Sequence, residues 1–171
     1  MALNISKNES KAETKAETDY STEAEKIAFN YLKKSQKKPV FLHGTKGYCQ
    51  KFGDIQVGKN KNTCKIIEVK GQGEDWDSNT NWDVPRRDIS ISKTEYNFLK
   101  NNPERFEVWI VYRLKYNPNP KYNKPKIAVC KGKDLLKCKK EVRNIFIKTP
   151  NDFWKNTKQY QTRHNKRRGS G

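Results

Sequence analysis

Two short stretches of the chain hold acidic and basic side chains in an arrangement suited to work on a phosphodiester: Gly53-Asp54-Ile55, and then Ile66-Ile67-Glu68-Val69-Lys70-Gly71. Side chains alternate along a strand, so Glu68 and Lys70 project from one face while Val69 points the other way, into a core. With Asp54 on a neighbouring strand, two carboxylates and one ammonium meet at a sheet edge. Asp54 and Glu68 would supply hard oxygen ligands for Mg²⁺ or Mn²⁺, with the Val69 carbonyl as a further candidate, leaving positions open for water and a phosphate oxygen. Lys70 would hold or deprotonate the attacking water, or stabilise the negative charge that develops on the phosphate. A cation there also helps keep the carboxylates ionised. Taken alone, Glu-x-Lys at the end of a strand is most often a surface salt bridge. The weight comes from the Asp on the preceding strand and from the helices on either side.

Those helices are legible from spacing. Between Thr22 and Lys34, small or apolar residues fall at Ala24, Ile27, Ala28, Tyr31 and Leu32, one buried helical face. Thr22 with Glu25 fits a capping box at its start. Short β-prone stretches follow at Val40–Leu42, Phe52–Val57 and Cys64–Val69, the last two joined by the polar Gly58-Lys59-Asn60-Lys61-Asn62, a hairpin signal. Residues 71–88 read as a long loop rich in Gly, Asp, Asn and Trp, of a length that is functional or mobile when it occurs inside a domain. Ser92 with Glu95 repeats the capping box and opens a second helix running to about Lys100, stopped by Pro103. Phe106–Leu114 is almost wholly apolar and reads as a central strand covered on both faces. Lys126–Cys130 and Asn144–Lys148 read as further strands, and Asp152–Trp154 as a short turn or helix.

Asp54 followed by Ile66-Ile67-Glu68-Val69-Lys70-Gly71 resembles the PD-(D/E)XK nuclease superfamily, which includes Holliday-junction resolvases and many restriction endonucleases. From Thr22 to about Cys130, about two-thirds of the chain, the order of elements is similar to the small nuclease-like domain at the C-terminus of the NO VEIN plant protein and in many microbial proteins. There, a helix bearing Glu precedes Gly-x-Asp-Ile, Ile-Glu-Val-Lys-Gly, a Ser/Thr-x-x-Glu helix and a hydrophobic strand. The resemblance implies an α/β, restriction-endonuclease-like core with a central mixed β-sheet flanked by helices. It places Asp54, Glu68 and Lys70 on the core motif, and Glu25 on the helix glutamate that often completes the metal site, with Glu23 as its rival. Two departures stand out: Phe52-Gly53 occupies the place of the Pro before Asp54, and the 71–88 loop is longer than the pattern leads one to expect.

The charge fits a nucleic-acid partner. The 171 residues carry a net +18 and have a pI near 9.8, and residues 115–171 hold seventeen Lys and Arg against Asp134, Glu141 and Asp152, a net +14. A polyanion with displaceable counterions is the natural ligand for such a surface. Candidate contacts near the site are Gln72, beyond Lys70, and Arg86 with Arg87, read as a phosphate clamp entering the second helix. Trp76 and Trp82 are either base-stacking platforms or packing anchors. Glu95 reads as a cap.

Cys49, Cys64, Cys130 and Cys138 lack any C-x-x-C half-site and read as reduced thiols; His43 six residues before Cys49 is more often structural than a metal pair. No long apolar run or secretory signal is evident, which points to an intracellular protein, cytoplasmic or nucleoid/nuclear, without a membrane partner. Residues 1–20 read as a disordered leader with a KAET echo, 21–160 as the nuclease-like domain, and 161–171 as a basic tail ending in an appended Gly169-Ser170-Gly171. The expected activity is divalent-metal-dependent endonucleolytic cleavage of nucleic acid, DNA before RNA, with a homodimer as one way to cut two strands. The alternatives are an inactive module of the same fold that binds nucleic acid or a protein, and a basic RNA-associated protein, which would explain the charge but not the Asp54, Glu68 and Lys70 set.

Overall fold

Seven consecutive buried residues, Phe106–Tyr112, form the middle of the molecule, because a strand that is apolar on both faces is stable only with layers above and below it. The computed structural model describes the backbone of residues 6–35, 37–42, 52–60, 62–73, 81–86, 88–115, 117–142, 145–148 and 159–161, with side chains described from Tyr20 to Cys138 within these ranges. In chain order the elements are α1 (Ser6–Lys34), β1 (Pro39–Phe41), β2 (Ile55–Val57), β3 (Lys65–Gln72), β4 (Asp88–Ile91), α2 (Lys93–Asn101), β5 (Phe106–Tyr112), a short 3₁₀ turn (Pro120–Tyr122), β6 (Lys126–Lys131), α3 (Gly132–Leu135), β7 (Lys139–Val142), β8 (Ile145–Lys148) and β9 (Gln159–Gln161).

The central sheet has six strands in the order β1-β2-β3-β5-β6-β9. Its β3 and β5 are parallel, in register from Ile66 with Phe106 to Gln72 with Tyr112; the other neighbours are antiparallel. This is the mixed sheet flanked by helices that the sequence predicts. Alternation divides the core in two. Ile67, Val69, Trp109 and Val111 meet Ala24, Ala28 and Leu32 of α1. On the other face, Ile66, Val108 and Ile110 meet Leu99 of α2, Leu135 of α3 and Ile89 and Ile91 of β4. Each fully buried Leu, Ile or Val among them contributes about 1.5–3 kcal/mol. No helix among the described residues is long and apolar enough to cross a membrane.

The structure departs from the sequence expectations in several places. Helix α1 begins at Ser6, so its backbone runs through most of the stretch read as a leader, and Thr22 lies inside the helix rather than at its cap. The Ala, Lys and Glu of that stretch are good helix formers, and propensity prevailed over the missing apolar period. The 71–88 stretch is not one loop: β3 continues to Gln72 and β4 begins at Asp88. β4 joins β7 and β8 in a separate three-stranded sheet. The strand expected over Phe106–Leu114 ends at Tyr112, because Arg113 takes φ 63°, outside the β region. The predicted strand at 144–148 is β8; β7 and β9 have no counterpart in the sequence reading, and Asp152–Trp154 lies outside the described residues.

Candidate active site

Asp54 stands immediately before β2, and Ile55 pairs with Ile67 of β3. Continuing that antiparallel register by one step brings Asp54 opposite Glu68. Gly53 permits the approach: a Cβ there would lie 2.7 Å from Ile66 Cγ2 and 3.0 Å from the Ile67 carbonyl oxygen. The Asp54 N–H donates to the Ile67 carbonyl at 3.0 Å, and the Leu42 N–H donates to the Asp54 carbonyl at 2.9 Å, so its backbone is fixed from both sides. Val69 N–H faces the edge where β2 has ended, and Asp54 Oδ2 accepts from it at 2.7 Å. A strand residue sends its N–H and C=O to the same edge, so the Val69 carbonyl also leaves β3 on the Asp54 side.

Glu68, Lys70 and Gln72 share the opposite face of β3 from α1. Glu68 is only 5% exposed, and the Lys70 ammonium donates to its Oε1 at 2.6 Å. Burial pushes the Glu68 carboxyl up to about 8; Lys70 opposes the rise, and Asp54 and Glu95 reinforce it. Burial disfavours the Lys70 ammonium, but Glu68 outweighs it, with Glu95 and Asp54 adding to the effect, so Lys70 is held above the ordinary lysine value. The site therefore has more carboxylate than its single ammonium neutralises.

Glu95 enters this account in a way the sequence did not reveal. It closes the capping box of α2, donating its N–H to Ser92 Oγ at 3.2 Å and accepting from the Ser92 N–H through Oε2 at 2.6 Å. Because α2 packs on the Glu68 face of the sheet through Leu99, the same cap sets the Glu95 charge beside Glu68 and Lys70. Glu25 is placed differently. It follows Ala24 on α1, across the sheet, where its Oε1 accepts from Ser21 Oγ at 3.5 Å, and the carboxylates acting on Lys70 are those of Glu68, Glu95 and Asp54. Its rival Glu23 is an exposed residue of the same helix.

Gly71 ties α1 to the end of β3: a Cβ there would sit 2.6 Å from the Tyr20 carbonyl oxygen and 3.1 Å from Ala24 Cβ. Gln72 contacts the protein itself, its side-chain oxygen accepting from the Arg86 N–H at 2.8 Å. Arg86 is exposed, and β4 lies between it and α2, so it does not lead directly into that helix. Arg87, Trp76, His43 and Cys49 lie outside the described residues. Trp82 is buried at 7% exposure, a packing anchor rather than a stacking platform. Cys64, Cys130 and Cys138 are buried free thiols, and burial raises Cys130 and Cys138.

Sequence reasoning missed Arg113. Its buried guanidinium donates through Nε to the Trp82 carbonyl at 2.6 Å, through one terminal nitrogen to Asp83 Oδ1 at 3.2 Å and through the other to the Lys121 carbonyl at 3.4 Å. It thereby pins residues 81–86 beside Gln72. An Arg after an apolar strand carries no local sign of this, because its partners are distant in sequence.

A family model described as Protein NO VEIN, C-terminal, matches residues 24–123. The chain belongs to the NO VEIN C-terminal family. The match begins at Ala24 on α1 and ends just beyond the 3₁₀ turn, so it contains Asp54, Glu68, Lys70 and Glu95 on the elements that hold them. No similar curated protein and no similar solved structure was found. Among the described residues, no group of three or more His, Cys, Asp or Glu side chains comes together as a metal site. The oxygen donors that do meet are two carboxylates and the Val69 carbonyl edge. That is a fit for Mg²⁺, which takes one or two protein carboxylates and completes its shell with water and substrate phosphate, and a poor one for Zn²⁺.

Proposed function

We propose that this NO VEIN C-terminal domain is a divalent-metal-dependent nuclease of the PD-(D/E)XK type that hydrolyses phosphodiester bonds in nucleic acid, DNA before RNA. The observation that carries the reading is the meeting of Asp54 and Glu68 across the β2–β3 edge with the Lys70 ammonium on Glu68. Asp54, Glu68 and the Val69 carbonyl would hold Mg²⁺ or Mn²⁺. When bound, such an ion polarises a phosphate oxygen and makes water a better nucleophile near neutral pH.

The chain's own residues supply the rest. Lys70 is held above the ordinary lysine value, the carboxylates around it outweighing its burial, so it keeps its proton near neutral pH and its part is to donate a hydrogen bond to the phosphate and stabilise the charge that develops there, rather than to act as base. Glu68, buried and crowded by Asp54 and Glu95, is poised to exchange its proton for a cation. Asp54 is oriented by the Val69 N–H, which removes the entropy cost of placing its carboxylate. Glu95 adds negative charge from a rigid helix cap, a positioning role.

One observation favours a second reading. The Glu68–Lys70 pair and the Asp54–Val69 bond join residues of the chain to one another, and such contacts also stabilise a module that binds nucleic acid or a protein without cutting. The deciding experiment incubates the protein and its Lys70→Ala variant with labelled single-stranded, duplex and branched DNA and with RNA, each with Mg²⁺, Mn²⁺ or EDTA. Metal-dependent cleavage lost in the variant is the expected result. Equal binding by both proteins without cleavage in any condition supports the binding module instead.

A further inference from the structure

The parallel pairing of β3 with β5 sends both strands out at one end of the sheet, with Gln72 beside Tyr112, and β6 enters at that end with Lys126 opposite Tyr112. Lys70 therefore lies two residues from a rim that also carries the β5–β6 connection, Arg113 to Pro125. Residues 117–123 of this connection are braced by side-chain hydrogen bonds. Asn123 Oδ1 accepts from the Asn117 N–H at 2.7 Å, Asn117 Oδ1 from the Asn119 N–H at 2.8 Å, and Asn119 Oδ1 from the Lys121 N–H at 3.0 Å. Pro120 opens the 3₁₀ turn that presents Lys121.

Residues 113–126 carry five Lys and Arg and no Asp or Glu. Lys121 and Lys124 are exposed, and Lys115 and Lys126 half-buried. Lys115 lies on the α1 side of the rim, its ammonium 5.6 Å from the centre of the Tyr20 ring, the ring that also lies against Gly73 just past β3. The carboxylate that forms ion pairs here among the described residues is Asp83, shared by Arg113 at 3.2 Å and Lys121 at 3.5 Å. Burial, then Arg113 and Lys121, make the charged form of Lys126 less favourable than in an ordinary lysine. The opposite end of the sheet contrasts with this: Lys65 pairs with Glu107, Lys133 with Glu104 and Lys137 with Asp134.

We infer that the braced ledge of Lys121, Lys124 and Lys126 is the track on which the phosphodiester backbone of a nucleic acid lies as it passes the Asp54, Glu68 and Lys70 site. The end point of the track rests on the nuclease reading, whereas the track itself is defined by charge and position. Ammonium groups on a preorganised loop engage successive phosphates and release their counterions, which gives affinity without sequence preference. Phosphates lying between the cations of the ledge also relieve their mutual repulsion.

The test uses Lys121→Gln, Lys124→Gln and Lys126→Gln combined, against a control with Lys100→Gln, Lys133→Gln and Lys137→Gln that removes the same charge elsewhere. Both are checked for wild-type melting. Binding of fluorescein-labelled single-stranded DNA, its duplex and the matching RNA is followed by anisotropy in EDTA over a range of salt. The ledge variant is expected to lower the slope of log affinity against log salt by about 2 on single strands, with binding weakened roughly tenfold or more, and the control to stay near wild type. Equal losses in both variants, no loss in either, or no binding by the wild type overturns the ledge. Cleavage assayed in parallel separates the two claims. A wild type that binds through the ledge without cutting supports the track and defeats the nuclease reading, and a ledge variant that binds and cuts as the wild type does overturns the track alone.

Discussion

Replacing Glu68 by Gln isolates the electrostatics of the site. In the folded protein the Glu68 carboxyl is pushed from its ordinary 4.5 to about 8, by burial first and then by Asp54 and Glu95 against the pull of Lys70. The folded state thus binds this proton more tightly than the unfolded state. A raised carboxyl contributes stability that is fully present below about pH 4.5 and is lost as pH rises through about 8, after which the loss is constant. The slope in between approaches about 1.4 kcal/mol per pH unit, and the whole interval is worth on the order of 5 kcal/mol. That is a large share of the roughly 5–15 kcal/mol that holds a domain folded. The amide of the Glu68→Gln variant has no proton to lose, while Asp54 and Glu95 still face the Lys70 ammonium. Urea unfolding of both proteins in EDTA, at pH values from 5 to 9, gives the difference in stability directly. The variant should gain on the wild type steadily up to about pH 8 and then run parallel to it. Parallel profiles throughout would show that Glu68 ionises at its ordinary value, and the account of a site crowded with negative charge would fail.

Three further outcomes follow from the contacts. Mg²⁺ or Mn²⁺ at about a hundred times its Kd should stabilise the wild type by about 2.7 kcal/mol, seen as a higher Tm, and Asp54→Asn should abolish the shift while keeping an acceptor for the Val69 N–H; a shift of equal size in the variant removes Asp54 from the ligand set. Gly71→Ala brings a methyl against the Tyr20 carbonyl and should cost about 1–3 kcal/mol, with α1 gaining hydrogen exchange ahead of the sheet; a neutral result would mean that α1 sits further from β3. Arg113→Lys loses the fork that holds the Trp82 and Lys121 carbonyls and Asp83 and should cost roughly 2–4 kcal/mol in denaturant unfolding, since an ammonium cannot span all three. An unchanged midpoint would deny that the clamp stabilises the fold.

The parts of the fold that are legible in the sequence are those whose signals are local. The alternation that sets Glu68 and Lys70 on one face, the hairpin that brings Asp54 to them, the Ser92–Glu95 capping box and the apolar run of β5 need no distant partner to be recognised. What escapes depends on distant partners. β4 is four residues long and becomes a strand by pairing Ile89 with Ile147 of β8, and nothing in Asp88–Ile91 announces that neighbour. Arg113 takes φ 63°, and its guanidinium reaches Trp82 and Asp83, about thirty residues earlier, which nothing beside it in the sequence announces. Glu95 reads as a cap and is one; its charge reaches Glu68 and Lys70 only because α2 lies on their face of the sheet.

The most direct measurement is the nicking of supercoiled plasmid by wild type, Glu68→Gln and Lys70→Ala, with melting curves to establish that all three are folded. A metal-dependent nuclease site here requires nicking by the wild type with Mn²⁺ or Mg²⁺, none with EDTA, and a loss of at least about a hundredfold in both variants. Nicking that persists at wild-type rates in Lys70→Ala or in EDTA would contradict it.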